Sequence, residues 1–308
     1  MRKVYLFLMI LFFIGCNASN GVPQSASTKK WAMQLQNSDL DEIAHSGFDL
    51  VVIDYAKDGT EEGKYSADEI NLIKSNGIKL IAYLSIAEAE NYRYYWQDEW
   101  IRHPPPWLGE ENSEWPGNYA VKYWHKDWKS LIKDYLDKII AQGFDGVYLD
   151  KVDEFEYWSQ KGLLSEQDAA IKMADFIDEI AHYTRSKKKE FLIIPQNGEK
   201  ILQYERNLAK IVSGWAAEDL FYNGTEPWNK KEQQEIEQKR FVYLDLVQKA
   251  DKPILSIDYV DDGSGYCGKN KARIEDYRKK AVARGYSPYV AIYDRDLDEL
   301  NIIEGVQP

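Results

Sequence analysis

Gly143-Phe144-Asp145-Gly146-Val147-Tyr148-Leu149-Asp150 is the stretch that decides the fold. Before it, Trp128, Leu131, Ile132, Tyr135, Leu136 and Ile139 fall on one helical face, so Gly143 fits the position just past a helix end. After it, the apolar run is continuous rather than alternating, which is what a strand buried on both faces needs. The run stops at a carboxylate. The same unit recurs. Gly47-Phe48-Asp49 leads into Leu50 to Asp54, Gly77 into Leu80 to Ser85, and Gly285-Tyr286 into Tyr289 to Asp294.

Four more runs read as strands: Trp31 to Leu35, Phe191 to Pro195, Ile211 to Ala217 and Pro253 to Tyr259. Helices stand between them. Ser66-Ala67-Asp68-Glu69 and Ser165-Glu166-Gln167-Asp168 have the form of capping boxes, and residues 229–250 and 270–284 are further helices. Eight strands alternating with helices over residues 30–308 predict an α/β fold, a (β/α)8 TIM barrel, rather than an open sheet. No glycine-rich loop follows any strand, which argues against nucleotide binding.

The N-terminus reads as an address. Arg2 and Lys3 precede an apolar run from Val4 to Ile14, short for a bilayer span, which ends in Gly15-Cys16. This resembles a bacterial lipoprotein signal. The resemblance implies residues 1–15 as a signal peptide, cleavage before Cys16, and lipidation of Cys16 as a membrane anchor. Residues 16–29 are small and polar and read as a flexible tether. The protein is therefore expected to be exported and held at a membrane on the periplasmic or cell-surface side. Cys267 then has no internal partner for a disulfide.

The 308 residues carry a net charge of −12, so the clustered cations that neutralise nucleic-acid phosphates are not expected, and nucleic acid is excluded as a partner. The excess of carboxylates would suit an amino-bearing ligand. Ten Trp and 22 Tyr make the chain rich in side chains that offer a flat apolar face with a polar edge, which suits sugar rings. Six of the Trp, at 96, 100, 107, 115, 124 and 128, lie just past the third strand, where a long segment would overhang the catalytic face.

In this barrel the site lies at the carboxyl ends of the strands. Those ends carry Asp54, Ser85 with Glu88, Asp150, Asn197, Glu218, Asp258, and Tyr293 with Asp294. His45, His103, His125 and His182 stand away from them; no His/Asp/Glu cluster has metal-ligand spacing, and no serine sits in a nucleophile elbow. Paired carboxylates are left as the machinery, the pair that glycoside hydrolysis uses. No cofactor or metal is called for, and the barrel is expected to act as a monomer.

Four motifs in order, Leu80 to Glu90, Asp145 to Asp153, Glu218-Asp219-Leu220-Phe221-Tyr222 and Ser256-Ile257-Asp258-Tyr259-Val260, resemble glycoside hydrolase family 114, whose named activity is endo-α-1,4-polygalactosaminidase. The resemblance runs from Trp31 to about Leu300 and is nearest the uncharacterised bacterial and archaeal branch. It implies Asp150 as nucleophile and Glu218 as general acid/base on a polysaccharide substrate. It also implies a sugar site lined by Asp54, Tyr55, Ser85, Glu88, Trp124, Lys151, Asp153, Asn197, Tyr222, Asp258, Tyr259 and Tyr293. A sugar amine would be held by carboxylates such as Glu88, Asp153 or Asp258. The alternative is a surface glycan-binding lipoprotein without turnover.

Overall fold

A computed structural model describes residues 29–308. The expected signal peptide, Cys16 and all of the expected tether except Lys29 lie outside the described residues. The expected strands form in order: β1 (Trp31–Met33), β2 (Leu50–Ile53), β3 (Lys79–Ser85), β4 (Gly146–Asp150), β5 (Leu192–Pro195), β6 (Trp215–Glu218), β7 (Ile254–Asp261) and β8 (Ser287–Ile292). Each pairs in parallel with the next from β1 to β5 and from β6 to β8, and a single bridge, Gln196 to Ala216, joins β5 to β6. Sequential parallel pairing with helical crossovers is the topology of the (β/α)8 barrel.

The seam between β8 and β1 is held without a ladder. Trp31 Nε1 donates to the Ser287 carbonyl at 2.8 Å, and the Trp31 ring sits 5.7 Å from Tyr289 and 6.4 Å from Tyr148. Contact between β1 and the non-adjacent β4 has to cross the barrel interior, so these rings fill it. The chain after β8 closes the rest of the seam. The Val290 N–H and C=O, which a neighbouring strand would otherwise take, pair with the side-chain amide of Gln307 at 3.0 and 2.9 Å. Leu35 N–H donates to the Leu297 carbonyl at 2.7 Å.

The helix signals translate into contacts, with two adjustments. Gly143 ends helix Lys126–Gln142 at φ 101°, a left-handed turn that a side chain would resist. Ser66 and Glu69 form the full capping box. At Ser165 the partner is Asp168, one methylene shorter than Glu, and it reaches the Ser165 hydroxyl rather than the backbone. The expected strand from Ile211 begins only at Trp215, because Leu208–Ile211 closes a short helix first.

The Trp-rich segment folds into a three-stranded antiparallel sheet of Glu88–Glu90, Asn118–Val121 and Leu108–Glu111. Its rings chiefly pack on one another. Trp96 meets Trp100 and Tyr119, Trp100 meets Trp107, and Trp107 meets Trp128, all within 5.3 Å between centroids. Trp115 alone among these tryptophans is largely exposed, at 57%. Most of this aromatic surface is therefore core.

Candidate active site

Three consecutive barrel strands end on a backbone kink. Lys151, Asn197 and Asp219 follow β4, β5 and β6 directly or nearly so, and adopt φ of 64°, 52° and 51°. Non-glycine residues in this region cost about 1–3 kcal/mol each and gather where structure over-determines them. Asn and Asp tolerate the conformation; Lys does not readily. Lys151 is held by an ion pair from its Nζ to Glu88 Oε1 at 2.9 Å. Glu88 in turn accepts from the side-chain amides of Asn112 and Asn118.

The kinks aim two carboxylates. Asp150 Oδ2 accepts the Tyr83 hydroxyl at 2.6 Å, and Oδ1 accepts the Lys151 N–H at 2.7 Å. Glu218 Oε1 accepts the Tyr259 hydroxyl at 2.5 Å, and Oε2 accepts the Asn197 side-chain amide at 3.0 Å. Each proposed catalytic carboxylate is thus fixed by one tyrosine and one amide donor. Burial pushes the Asp150 carboxyl up to about 7; the Tyr83 hydrogen bond opposes this and the Glu218 charge adds to it. Asp150 is surrounded by protein yet keeps some contact with solvent.

Next to Asp150 stand two carboxyls that, among the described residues, form no salt bridge. Asp153 is open to solvent, and burial among its neighbours still raises its carboxyl. Glu154 is only 7% exposed; burial, followed by the charge of Glu88, pushes it up to about 8. The nearby ammonium of Lys151 is already paired to Glu88.

Other expected site residues are committed elsewhere. Asp258 is fully buried inside β7, which runs on to Asp261, and its carboxylate accepts the backbone N–H groups of Leu220, Phe221 and Tyr222 at 2.8–3.1 Å. It anchors the loop after β6 and has no surface for a sugar. Glu88, taken by Lys151 and the two amides, is not free for an amine. Tyr55 is buried, its hydroxyl donating to the Gly59 and Thr60 carbonyls. Ser85 bonds Glu88 at both its N–H and C=O. Tyr222 turns its hydroxyl to Asp276 on helix Gly268–Ala283. Trp124 packs edge-on against Tyr123 and Trp158, and Tyr293 is 54% exposed. Asp54 is in a buried triad in which Arg93 reaches Asp54 at 2.6 Å and Glu90 at 2.6 Å.

Sequence reasoning missed Tyr83, Arg93 and Glu154, as well as Arg240, which donates to the Glu218 carbonyl, and Arg295, which pairs with Asp219 at 2.7 Å. Tyr83 sits in an apolar run and reads there as core. It stands two residues before Ser85, which in β3 pairs with Asp150, so strand register alone would have placed it nearby.

With this geometry in hand, the chain belongs to glycoside-hydrolase family GH114, whose profile matches residues 16–306. An uncharacterised protein of Methanocaldococcus jannaschii is 56% identical over 274 residues, covering 88% of this chain and 78% of that one. The glycoside hydrolase domain of PelA from Pseudomonas aeruginosa superposes with a TM-score of 0.66 at 16% identity, over 89% of this chain and 97% of that one. Ega3 of Aspergillus fumigatus, solved with galactosamine, superposes with a TM-score of 0.63 at 18% identity, over 89% and 94%. At those identities the two structures speak for the barrel fold.

Proposed function

We propose that the protein is an endo-acting glycosidase on a galactosamine-type, amino-bearing polysaccharide, working with Asp150 and Glu218. The observation that carries this reading is the pair itself: two strand-end carboxylates, each braced by a tyrosine, the charge of one raising the other. Two carboxyls at strand ends of one barrel supply the pair that glycoside hydrolysis uses, one as acid and the other as nucleophile or base. Family membership supports the chemistry, and the galactosamine in the Ega3 structure supports the substrate class.

Burial raises the Asp150 carboxyl to about 7, so before substrate enters it is partly protonated near neutral pH. A cationic sugar amine entering beside the unpaired Asp153 and Glu154 would favour ionised carboxylates, Asp150 included. Asp150 then attacks the anomeric carbon as the bond to the leaving oxygen breaks; Glu218, carrying the proton that Asp150 gives up, protonates that oxygen and later takes a proton from the water that releases the sugar from Asp150. The raised Asp150 carboxyl also favours a second reading, in which Asp150 is the acid and Glu218 the nucleophile. The enzyme would act outside the cytoplasm, anchored through Cys16.

The test is incubation of the full chain with a polysaccharide panel that includes partly deacetylated galactosamine polymers, with mass spectrometry of the products. Shorter oligosaccharides from the amino-bearing polymers are expected. A trapped glycosyl group on Asp150 supports the first role assignment and one on Glu218 the second. Binding with no shortening over long incubation sinks the enzyme reading. Palmitate labelling that survives Cys16→Ser sinks the anchor.

A further inference from the structure

The helix that follows β6 contains a π-helical turn, Glu237–Phe241, between helices Lys230–Ile236 and Val242–Lys249. Such a turn inserts one residue into a helix and is frequent at functional sites. One residue is about 100° of helical rotation, so the insertion decides which way the side chains of this turn point. Here it carries Arg240, whose side chain is 23% exposed and whose three donor nitrogens are all used. Nη1 donates to the backbone carbonyl of Glu218 at 2.7 Å, Nη2 to Asn197 Oδ1 at 2.9 Å, and Nε to the buried carboxylate of Glu199.

Asn197 Oδ1 accepts a second donor, the Glu218 N–H, at 3.0 Å. With its oxygen engaged by two N–H groups, the amide has one orientation. Its Nδ2 faces the other way and donates to Glu218 Oε2. Turned over, the amide would set its NH2 against the guanidinium and the Glu218 N–H, and its oxygen against the Glu218 carboxylate; all three contacts would repel. The guanidinium therefore fixes Glu218 twice, through its backbone carbonyl and through the amide that holds its carboxylate. A planar fork holds its donors at fixed, separated positions, whereas a lysine ammonium offers its three from a single atom.

We propose that Arg240, presented by the π-helical turn, is the positioning residue for Glu218, setting the Asn197 amide and through it the direction of the Glu218 carboxylate. The inference rests on the role proposed above for Glu218. The donor nitrogens of Arg240 are all taken by Glu199, Glu218 and Asn197, so its removal should lower kcat and leave KM nearly unchanged.

The experiment compares Arg240→Ala, Arg240→Lys and Glu218→Gln with the wild-type chain on a polymer that the wild type shortens, with thermal unfolding run on each. The Ala variant is expected to lose about 10–100-fold in kcat, the range that a misplacement of about 1 Å produces, with KM within about threefold. Millimolar guanidinium should restore much of that loss in Arg240→Ala and nothing in Glu218→Gln. The Lys variant should fall between Ala and wild type, and it carries the test alone if the Ala variant does not fold. A folded Ala or Lys variant with kcat equal to wild type overturns the inference, as does a loss confined to KM or a loss that guanidinium leaves untouched. A fully active Glu218→Gln overturns instead the role of Glu218. An inactive Glu218→Gln beside a fully active Arg240→Ala overturns the positioning role only.

Discussion

Replacing Asp150 by Asn should abolish turnover and also change how stability depends on pH. The Asp150 carboxyl lies at about 7 in the fold against an ordinary 3.8, chiefly through burial. Between those values the folded protein binds a proton that the unfolded chain has released, so stability falls as pH rises. The contribution is fully present below about pH 4 and gone above about pH 7. A shift of about three pKa units corresponds to about 4 kcal/mol over the whole window, and about 2–3 kcal/mol of it falls between pH 5 and pH 8. The partial solvent exposure of the Asp150 carboxyl favours the lower figure. The amide introduced by Asp150→Asn cannot titrate, so the variant lacks this slope. It also loses something constant, since one of its atoms is now an NH2 group, whereas both oxygens of Asp150 accept hydrogen bonds, from Tyr83 and Lys151. That penalty of about 1–3 kcal/mol does not vary with pH, and only the slope is diagnostic. Urea unfolding of both proteins at pH 5, 6, 7 and 8 measures it. The variant should gain about 2–3 kcal/mol on the wild type across that range while releasing no reducing ends. Parallel profiles would refute the buried, proton-retaining Asp150 on which the coupling to Glu218 depends.

Tyr83→Phe removes the 2.6 Å hydrogen bond that favours ionised Asp150, so the acid limb of kcat/KM should move up from about 7. The shift should be about one to two units, since hydrogen bonds to charged groups contribute about 1.5–3 kcal/mol; a limb that stays in place rules Asp150 out as the titrating group. Gln307→Ala opens the seam of the barrel, leaving the Val290 N–H without its acceptor while the Val290 carbonyl keeps the Asn301 amide at 3.1 Å. A loss of about 1–3 kcal/mol in denaturant unfolding is expected, and a loss below about 0.5 kcal/mol would show that the seam holds without it.

The barrel was legible because its strands are buried on both faces and so stand out as continuous apolar runs, four of them after helix-ending glycines. Each is a local property of the chain. The candidate site was legible only to the extent that it is also local. Asp150 and Glu218 end β4 and β6, and their position follows from the strand boundaries alone. Asp258 shows where that rule fails. It looks like a strand end, yet β7 continues three residues further through an irregularity in its pairing with β8, and the carboxylate points into the backbone of another loop. A strand that outruns its apolar run cannot be seen from the run.

What the sequence could not show are the pairs made by distant segments. Arg93 reaches Asp54 across 39 residues, and Arg240 reaches Asn197 across 43. Nothing in the composition around Arg240 separates it from Lys230, Lys231 and Lys239 on the same helical stretch; its contacts to Glu218, Asn197 and Glu199 do. The same limit explains the aromatic overhang. Its tryptophans were readable as residues able to stack on sugars, but whether they face a ligand or one another depends on the small sheet that folds between β3 and helix Lys126–Gln142, and that sheet turns most of them inward. Strand-end position therefore identifies which carboxylates can be reached. Which of them are free to act is decided by long-range donors such as Tyr83, Tyr259 and the Arg240-held Asn197, and by the lack of such donors, among the described residues, at Asp153 and Glu154.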